Sequence, residues 1–173
     1  MQCSHEARPF PNSYVYYFEV KVNTLNTNRP GIVIGLTEAD FVINKVPGSS
    51  KKSFGLRSDG KLLHAQIQGT ELSLKFQQND VIGCGIAYVS QKIFFTRNGE
   101  LLGKPFNLPE NLPLYASASL SSSQDSLTFS FTGPFSYSLE TIISEEKNLY
   151  QDQIEKINIK SSDVFSLVRD YLQ

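Results

Sequence analysis

Alternating apolar and polar positions run through most of the chain. In residues 14–22, YVYYFEVKV, every second side chain is aromatic or aliphatic, while the positions between them carry Glu19 and Lys21 as well as apolar groups. A period of two with this aromatic and β-branched content predicts a β-strand. The apolar run 31–37 predicts a second, buried strand, and the aperiodic residues 38–50 after it are predicted to form a long surface loop.

Two dipeptides mark tight turns between further strands. Asp59-Gly60 separates the segments 52–56 and 61–65, and Asn98-Gly99 separates the segments 92–96 and 101–102. Both dipeptides readily adopt the positive φ angles of a type I′ turn, so each predicts a β-hairpin. The other predicted strands are residues 72–76, 80–88, 114–120 and 126–131. Many short strands with turn residues between them predict an all-β chain folded as an antiparallel two-sheet sandwich.

The spacing of apolar residues changes after Phe135. In residues 138–143 and 149–157 they recur every three or four positions among Glu, Lys and Gln, which predicts a C-terminal helical extension. A second helix is predicted to begin at Ser162 or Asp163, because either residue can act as an N-cap. That helix reaches the last residue without a C-cap, so we expect the chain to be part of a longer protein. The predicted organisation is a sandwich domain at 1–135, a helical linker at 136–160 and the start of a further helix at 161–173.

Composition narrows the class of partner. The 173 residues are 40% hydrophobic and include 12 Phe and 8 Tyr, enough apolar surface for one buried core. The 16 basic and 17 acidic residues nearly cancel and are scattered, which argues against nucleic acid as a partner. Cys3 and Cys84 are the only cysteines and lie far apart in the sequence. Such sparse use of cysteine is typical of proteins in a reducing compartment. Since the chain has no long apolar run and no signal-like N-terminus, we expect a cytoplasmic or nuclear protein with no membrane association.

The sequence offers little for catalysis, metal binding or cofactor binding. The two histidines are His5, in a polar segment, and His64, in a predicted strand. A dyad of Cys84 and His64 is conceivable, but an apolar strand disfavours a thiolate, and a half-exposed strand residue is the ordinary role for His64. Neither the paired spacing of a zinc site nor a glycine-rich phosphate-binding motif is present. We therefore predict no enzyme activity, no metal and no cofactor.

Five short motifs, taken in order, resemble one family. They are YYFEV at 16–20, GIVIGL at 31–36, SFGLRSDG at 53–60, DVIGCG at 80–85 and FFTRNG at 94–99. Together they resemble the SPRY (B30.2-related) domain, and the resemblance implies an antiparallel SPRY β-sandwich with a C-terminal helical extension. Within that superfamily the chain is most similar to the Ran-binding protein M group, in which SPRY precedes LisH, CTLH and CRA helices. Residues 164–172 resemble the opening of the LisH motif.

The resemblance also implies a function. Proteins of that group are scaffold subunits of the multisubunit GID/CTLH E3 ubiquitin ligase, in which LisH mediates dimerisation and SPRY binds other subunits or targets. We therefore expect a protein-binding domain of such a scaffold, whose full-length form oligomerises through LisH. Two alternatives stay open. One is a free-standing SPRY adaptor in signalling or chromatin regulation; the other is an enzyme or carbohydrate-binding sandwich, which the absence of Trp and of a calcium-binding carboxylate string disfavours.

The expected binding surface lies in the loops, because loops on a rigid scaffold commonly carry function. SPRY domains that grip Asn-rich peptides use a Tyr before the S-[WF]-G strand and a Trp-Gly pair in a late loop. Here Ile43 and Ser121-Ser122 stand at those positions, so the aromatic walls are lost and we expect a different ligand. The expected binding residues are Arg29, Pro30, Ile43, Lys51, Lys52, Phe54, Arg57 and Ser121.

Two of these expectations have alternatives. Lys45, Lys51, Lys52 and Arg57 would form a basic patch at one end of the sandwich and attract an acidic peptide, although a solvated loop is the commoner explanation for such lysines. Phe54 would contribute either to the binding surface or to the core.

Overall fold

The computed structural model shows two β-sheets followed by one long helix, and it describes residues 2–10, 13–26, 31–42, 44–65, 69–72 and 74–171. The helix, α1, spans Glu140–Tyr171. Eleven strands are described: β1 (Gln2–Glu6), β2 (Val15–Thr24), β3 (Val33–Glu38), β4 (Ser53–Arg57), β5 (Lys61–His64), β6 (Thr70–Glu71), β7 (Val81–Ala87), β8 (Lys92–Arg97), β9 (Glu100–Asn107), β10 (Leu114–Ser119) and β11 (Ser126–Ser130).

The strands form two antiparallel sheets. The first sheet has the order β1-β10-β3-β4-β5-β6, and the second has the order β11-β2-β7-β8-β9. Both predicted hairpins are present, as β4–β5 and β8–β9. In the second hairpin Asn98 and Gly99 have φ angles of 49° and 84°, the positive values of a type I′ turn that matches strand twist. The predicted all-β, two-sheet sandwich is confirmed.

The main core lies between the two sheets. From β2 it takes Tyr16, Phe18, Val20 and Val22, which are one side of the predicted alternation and are each at most 5% exposed. The other side of β2 is also buried at its start, where Tyr17 packs in a smaller cluster on the outer face of the second sheet. Because this second cluster covers the outer face, the start of β2 carries apolar side chains on both of its faces.

Two buried carboxylates attach the C-terminal extension to that outer face. Glu19, 5% exposed, accepts hydrogen bonds of 2.9 and 3.0 Å from the N–H groups of residues 136–137. Glu146 of α1, 1% exposed, accepts bonds of 2.6 and 3.1 Å from the N–H groups of the β7–β8 turn at 89–90. Ile142, also 1% exposed, completes the smaller cluster. The first turns of α1 are therefore part of the folded domain.

Two of the predicted elements are wrong. None of the described residues in 72–76 is in a strand; the chain instead crosses the edge of the first sheet, where the N–H of Leu72 donates to the carbonyl of Gly60. The predicted helix start at Ser162 or Asp163 is wrong, because α1 continues through both. Nothing between its ends is Pro or Gly, the residues that would stop it.

The N-terminal segment adds a strand that its polar sequence did not predict. β1 joins the edge of the first sheet beside β10, with Glu6 opposite Tyr115. Backbone pairing to an existing edge requires no apolar side chains, so periodicity carries no signal for it. As for membranes, none of the described helical residues form a stretch apolar enough to cross a bilayer.

Candidate protein-binding surface

One end of the sandwich gathers the β2–β3, β4–β5 and β10–β11 connections, and we call it the loop end. Ser119, the last residue of β10, pairs with Val33, the first residue of β3. Val33 pairs in turn with Arg57, the last residue of β4. Arg57 and the loop that contains Ser121 are therefore neighbours at the loop end, as the sequence prediction required.

Lys51 and Lys52 lie at the opposite end, which we call the helix end. β4 begins directly after Lys52 and its first residue pairs with Thr37, at the far end of the β3–β4 ladder from Arg57. Lys52 Nζ lies 3.2 Å from Glu38 Oε2 at that end. Lys52 and Arg57 are five residues apart along an extended strand, a distance of about 16 Å. The prediction of one basic patch joining these lysines to Arg57 is therefore wrong.

Phe54 belongs to the core and not to the binding surface. It is 1% exposed, and its ring stacks on His64 with centroids 4.5 Å apart and an interplanar angle of 9°. Phe106 covers it further, at 5.3 Å between centroids. No partner can reach this ring. Of the two predictions for Phe54, the core position is therefore correct and the position in the binding surface is wrong.

Three predicted residues, Arg29, Pro30 and Ile43, lie outside the described residues. Their place in the candidate surface stays a prediction. Of the eight residues predicted, the structure thus brings together Arg57 and Ser121 at the loop end and places Lys51 and Lys52 at the helix end.

Asp125 organises the loop end. Its Oδ1 accepts a 2.8 Å hydrogen bond from the N–H of Asn26, and its Oδ2 accepts bonds of 3.1 and 2.9 Å from the N–H groups of Ser121 and Ser122. The carboxylate is 6% exposed, whereas Leu120 at the start of the same loop is 44% exposed. A buried carboxylate holding three N–H groups fixes the loop backbone, so the apolar side chain is presented from a rigid position.

Arg57 is already paired within the chain. Its Nε and Nη2 donate to the two carboxylate oxygens of Asp59 at 2.8 and 2.7 Å. This hydrogen-bonded pair lowers the pKa of Asp59 and raises that of Arg57. The Nε–Nη2 edge of the guanidinium is committed to Asp59, so Arg57 holds the β4–β5 turn in place.

Sequence reasoning missed Asp125 and Asn26 as the residues that shape this surface. The serine-rich stretch before Asp125 is a turn signal, and an Asp there commonly caps backbone N–H groups. Its bond to Asn26, however, joins residues 99 positions apart. No local pattern indicates such a pair.

The structure offers no support for the Cys84–His64 dyad. Cys84 is fully buried in the core, and burial raises the pKa of its thiol well above the ordinary value, so the thiolate needed by a nucleophile is disfavoured. His64 stacks on Phe54, with Nδ1 3.1 Å from the carbonyl oxygen of Ser53. Among the described residues, no three of His, Cys, Asp or Glu are grouped to hold a metal ion.

The five motifs and the sandwich agree with a family model. The model of the SPRY domain matches residues 15–134, more than half of the chain. The chain belongs to the SPRY domain family. SPRY is a non-catalytic fold for protein–protein interaction, so loops such as those at the loop end are its expected binding elements.

Solved SPRY domains share this fold. A crystal structure of a human SPRY domain superimposes with a TM-score of 0.58 at 28% identity, covering 76% of this chain and 85% of that one. The SPRY domain of human HERC1 superimposes with a TM-score of 0.60 at 20% identity over 75% of this chain and 82% of that one, a likeness of fold alone.

The resemblance to the Ran-binding protein M group is also confirmed. A Ran-binding protein M homolog of Arabidopsis thaliana is 32% identical over 161 residues, which cover 91% of this SPRY chain and 34% of that protein. Ran-binding protein 9 of Xenopus laevis is 32% identical over 165 residues, 91% of this chain and 29% of that protein. The dual specificity protein kinase splA of Dictyostelium discoideum is 35% identical over 130 residues, 75% of this chain and 5% of that protein. The chain thus spans about a third or less of the curated relatives it matches.

Proposed function

We propose that this SPRY chain is the protein-binding domain of a scaffold subunit of a GID/CTLH-type E3 ubiquitin ligase. The similarity to the Ran-binding proteins carries the proposal, because it covers 91% of the chain and must therefore extend past the sandwich into α1. In the scaffold subunits of the Ran-binding protein M group, the SPRY domain is likewise followed by helices. Oligomerisation of the full-length protein through a LisH motif, and a cytoplasmic or nuclear location, belong to the same proposal.

The loop end is the surface proposed to recruit partner subunits or targets. Its backbone is held by Asp125, so little conformational entropy is lost when a partner binds. Leu120 supplies an exposed apolar group beside the hydroxyls of Ser121 and Ser122. A small apolar anchor within a polar rim is the usual composition of a binding site for another protein.

Affinity purification of the full-length protein followed by mass spectrometry tests both parts of the proposal. Three forms are compared: the natural protein, a loop-end variant with Leu120→Glu and Ser121→Arg, and a helix-end variant with Lys51→Glu and Lys52→Glu. We expect ligase subunits in all three samples, and we expect a subset of other partners to be lost from the loop-end variant alone. Loss of that subset from the helix-end variant instead would contradict the assignment of the surface, and absence of ligase subunits from every sample would contradict the scaffold role.

The alternative is a free-standing SPRY adaptor in signalling or chromatin regulation. The similarity to splA favours this alternative. The matching region makes up only 5% of that protein, which is named as a kinase, so similar domains also occur outside the Ran-binding proteins. The same purification distinguishes the two functions, because an adaptor would recover partners sensitive to the loop-end variant without ligase subunits.

A further inference from the structure

Four strands form the edges of the two sheets in the part of the chain that the structure describes: β1 and β6 in the first sheet, β9 and β11 in the second. An edge strand can pair with a strand of another chain, and proteins usually prevent this with charges, prolines, irregular pairing or very short strands. Three of the edges are protected in these ways. β6 has two residues, β9 contains Lys104, Pro105 and register shifts, and β1 contains Glu6 and a register shift.

The fourth edge strand, β11, has almost none of this protection. Its sequence, SLTFS, contains no charge and no proline, and it pairs regularly with β2 from Leu127 to Ser130. A single register shift lies at its start, between Ser126 and Leu127. After β11 the chain turns back over β2, where the N–H groups of residues 136–137 bond to Glu19. Within the described residues, the open edge of β11 is therefore available to another strand.

The core is incompletely covered at this edge. On β2 the side chains of Phe18, Val20 and Val22 are fully buried. On β11 the side chains of Leu127 and Phe129 pack against the same core but are only partly buried, although the ring of Phe129 stacks on that of Phe18 with centroids 5.9 Å apart. One more strand beside β11 would cover these two side chains and remove apolar surface from water.

The pattern of β11 is the same in both directions. Thr128 is flanked by apolar Leu127 and Phe129, and these are flanked by Ser126 and Ser130; the three hydroxyl side chains are all exposed. In an antiparallel pair of two copies centred on Thr128, each serine would face a serine, and Leu127 of one copy would face Phe129 of the other. Hydroxyl pairs and aliphatic–aromatic pairs both stabilise neighbouring strands. β11 is therefore complementary to itself.

Charge does not oppose such a pair. Lys21, which is exposed, lies opposite Thr128 on β2. Lys21 and its copy would be separated by three strand spacings, about 14 Å, which exceeds the screening length of about 8 Å at physiological salt. The hydroxyl oxygens of Ser126 and Thr128 accept hydrogen bonds of 3.4 and 2.9 Å from the Asn23 amide. Since a hydroxyl that accepts can also donate, these bonds are compatible with hydroxyl pairs between the copies.

We propose that β11 pairs antiparallel with β11 of a second copy of the chain, so that the two five-stranded sheets become one continuous sheet. The interface has two-fold symmetry and places Thr128 on the axis. A pair of short strands buries less surface than a standard interface, so the dimer is weak and forms as the concentration rises. This pairing requires neither a ligase nor a partner at the loop end, so it can fail or hold independently of the proposed function.

A charge exchange at the two-fold axis tests the pairing on the chain as it stands. Thr128→Lys and Thr128→Glu each place like charges face to face, and each is expected to weaken self-association by about tenfold or more. An equimolar mixture of the two variants places Lys opposite Glu and is expected to restore association. Sedimentation velocity from about 1 to 500 µM, with one variant fluorescently labelled at its N-terminus, measures both effects.

The same exchange at another edge is the matched control. Thr70 is an exposed threonine of β6, at the edge of the first sheet. Thr70→Lys, Thr70→Glu and their mixture are expected to associate as the natural chain does. Circular dichroism confirms that each variant is folded.

Three results would reject the pairing of β11. Self-association that the Thr128 variants leave unchanged, or that their mixture does not restore, would place the contact elsewhere on the chain. A chain that stays monomeric over the whole concentration range would exclude the second copy as the occupant. If Thr128→Lys in addition removes a purified partner from that monomeric chain, the edge binds a strand of another protein.

Discussion

At the scale of single residues, buried carboxylates join segments that are distant in sequence. Glu146 accepts two backbone N–H groups from the β7–β8 turn, and Asp125 accepts one from Asn26 and two from its own loop. Charge-assisted bonds of this kind are shorter and stronger than neutral ones, and a lost partner leaves the N–H groups buried and unsatisfied. The adjacent Glu145 has the same side chain but a different role: it pairs with Lys104 at the surface and is 53% exposed.

The neighbouring glutamates give a matched test. Replacement of Glu146 by Ala removes the acceptor of two buried N–H groups, so we expect the free energy of unfolding to fall by about 2–3 kcal/mol. Glu145→Ala breaks only a surface ion pair and is expected to cost less than about 1 kcal/mol. Urea denaturation followed by tyrosine fluorescence measures both values. Equal losses in the two variants would show that Glu146 does not anchor the helix.

At the scale of elements, α1 has two unlike parts. Its first turns bury Ile142 against the outer face of the second sheet, where Tyr17 and Phe94 stack at 5.7 Å. Further along, Ile157 is 64% exposed. The helix is therefore stabilised by the sandwich at its start and by its own backbone hydrogen bonds and helix propensity beyond that point.

The same substitution at two positions of α1 tests this division. Ile142→Ala leaves a cavity in the smaller cluster and is expected to lower the free energy of unfolding by about 2–4 kcal/mol. Ile157→Ala removes little buried surface and introduces a better helix former, so we expect a change within about 0.5 kcal/mol. Chemical denaturation of the two variants under one set of conditions gives the comparison. A small effect at Ile142 would mean that α1 is not docked in solution.

At the scale of the whole molecule, acidic groups at the loop end link stability to pH. Burial alone would raise the pKa of Asp80, but hydrogen bonds from the Asn98 amide, the Gln77 N–H and Arg97 outweigh it, and the pKa is lowered. The hydrogen bonds and charge of Arg57 lower the pKa of Asp59 in the same way, against the effect of burial. Both carboxylates therefore bind a proton less readily in the folded than in the unfolded chain.

The sign of the pH dependence follows from these shifts. A depressed folded pKa contributes stability that is fully present above the unfolded value, about 3.9 for Asp, and is lost as pH falls through the folded value. We expect the free energy of unfolding to decline from about pH 5 downward. Asp80→Asn should be less stable at neutral pH and should show a shallower decline in acid. Thermal unfolding across a pH series measures how steeply stability falls with pH, and Asp40→Asn, at an exposed position, is the control. Identical slopes for the natural protein and Asp80→Asn would show that Asp80 does not contribute to the decline in acid.

Local chemistry along the chain determined the class of fold. The period of two in residues 14–22 requires a strand with two faces, whatever its neighbours are, and Asn98-Gly99 requires a tight turn because few dipeptides adopt its φ angles. The order of the five motifs was enough to identify the SPRY family. These properties depend on residues a few positions apart, so they can be read before any tertiary contact is known.

Tertiary structure decided where the side chains of the candidate site lie. Lys52 and Arg57 are five positions apart, but the extended strand between them puts them at opposite ends of the sandwich. Asp125 meets Asn26 only because β10–β11 and β2–β3 connect at the same end. Residues distant in sequence become neighbours through strand order and register, which backbone pairing sets between segments about a hundred residues apart. The pattern along one segment records which face is buried; it does not record what lies against that face.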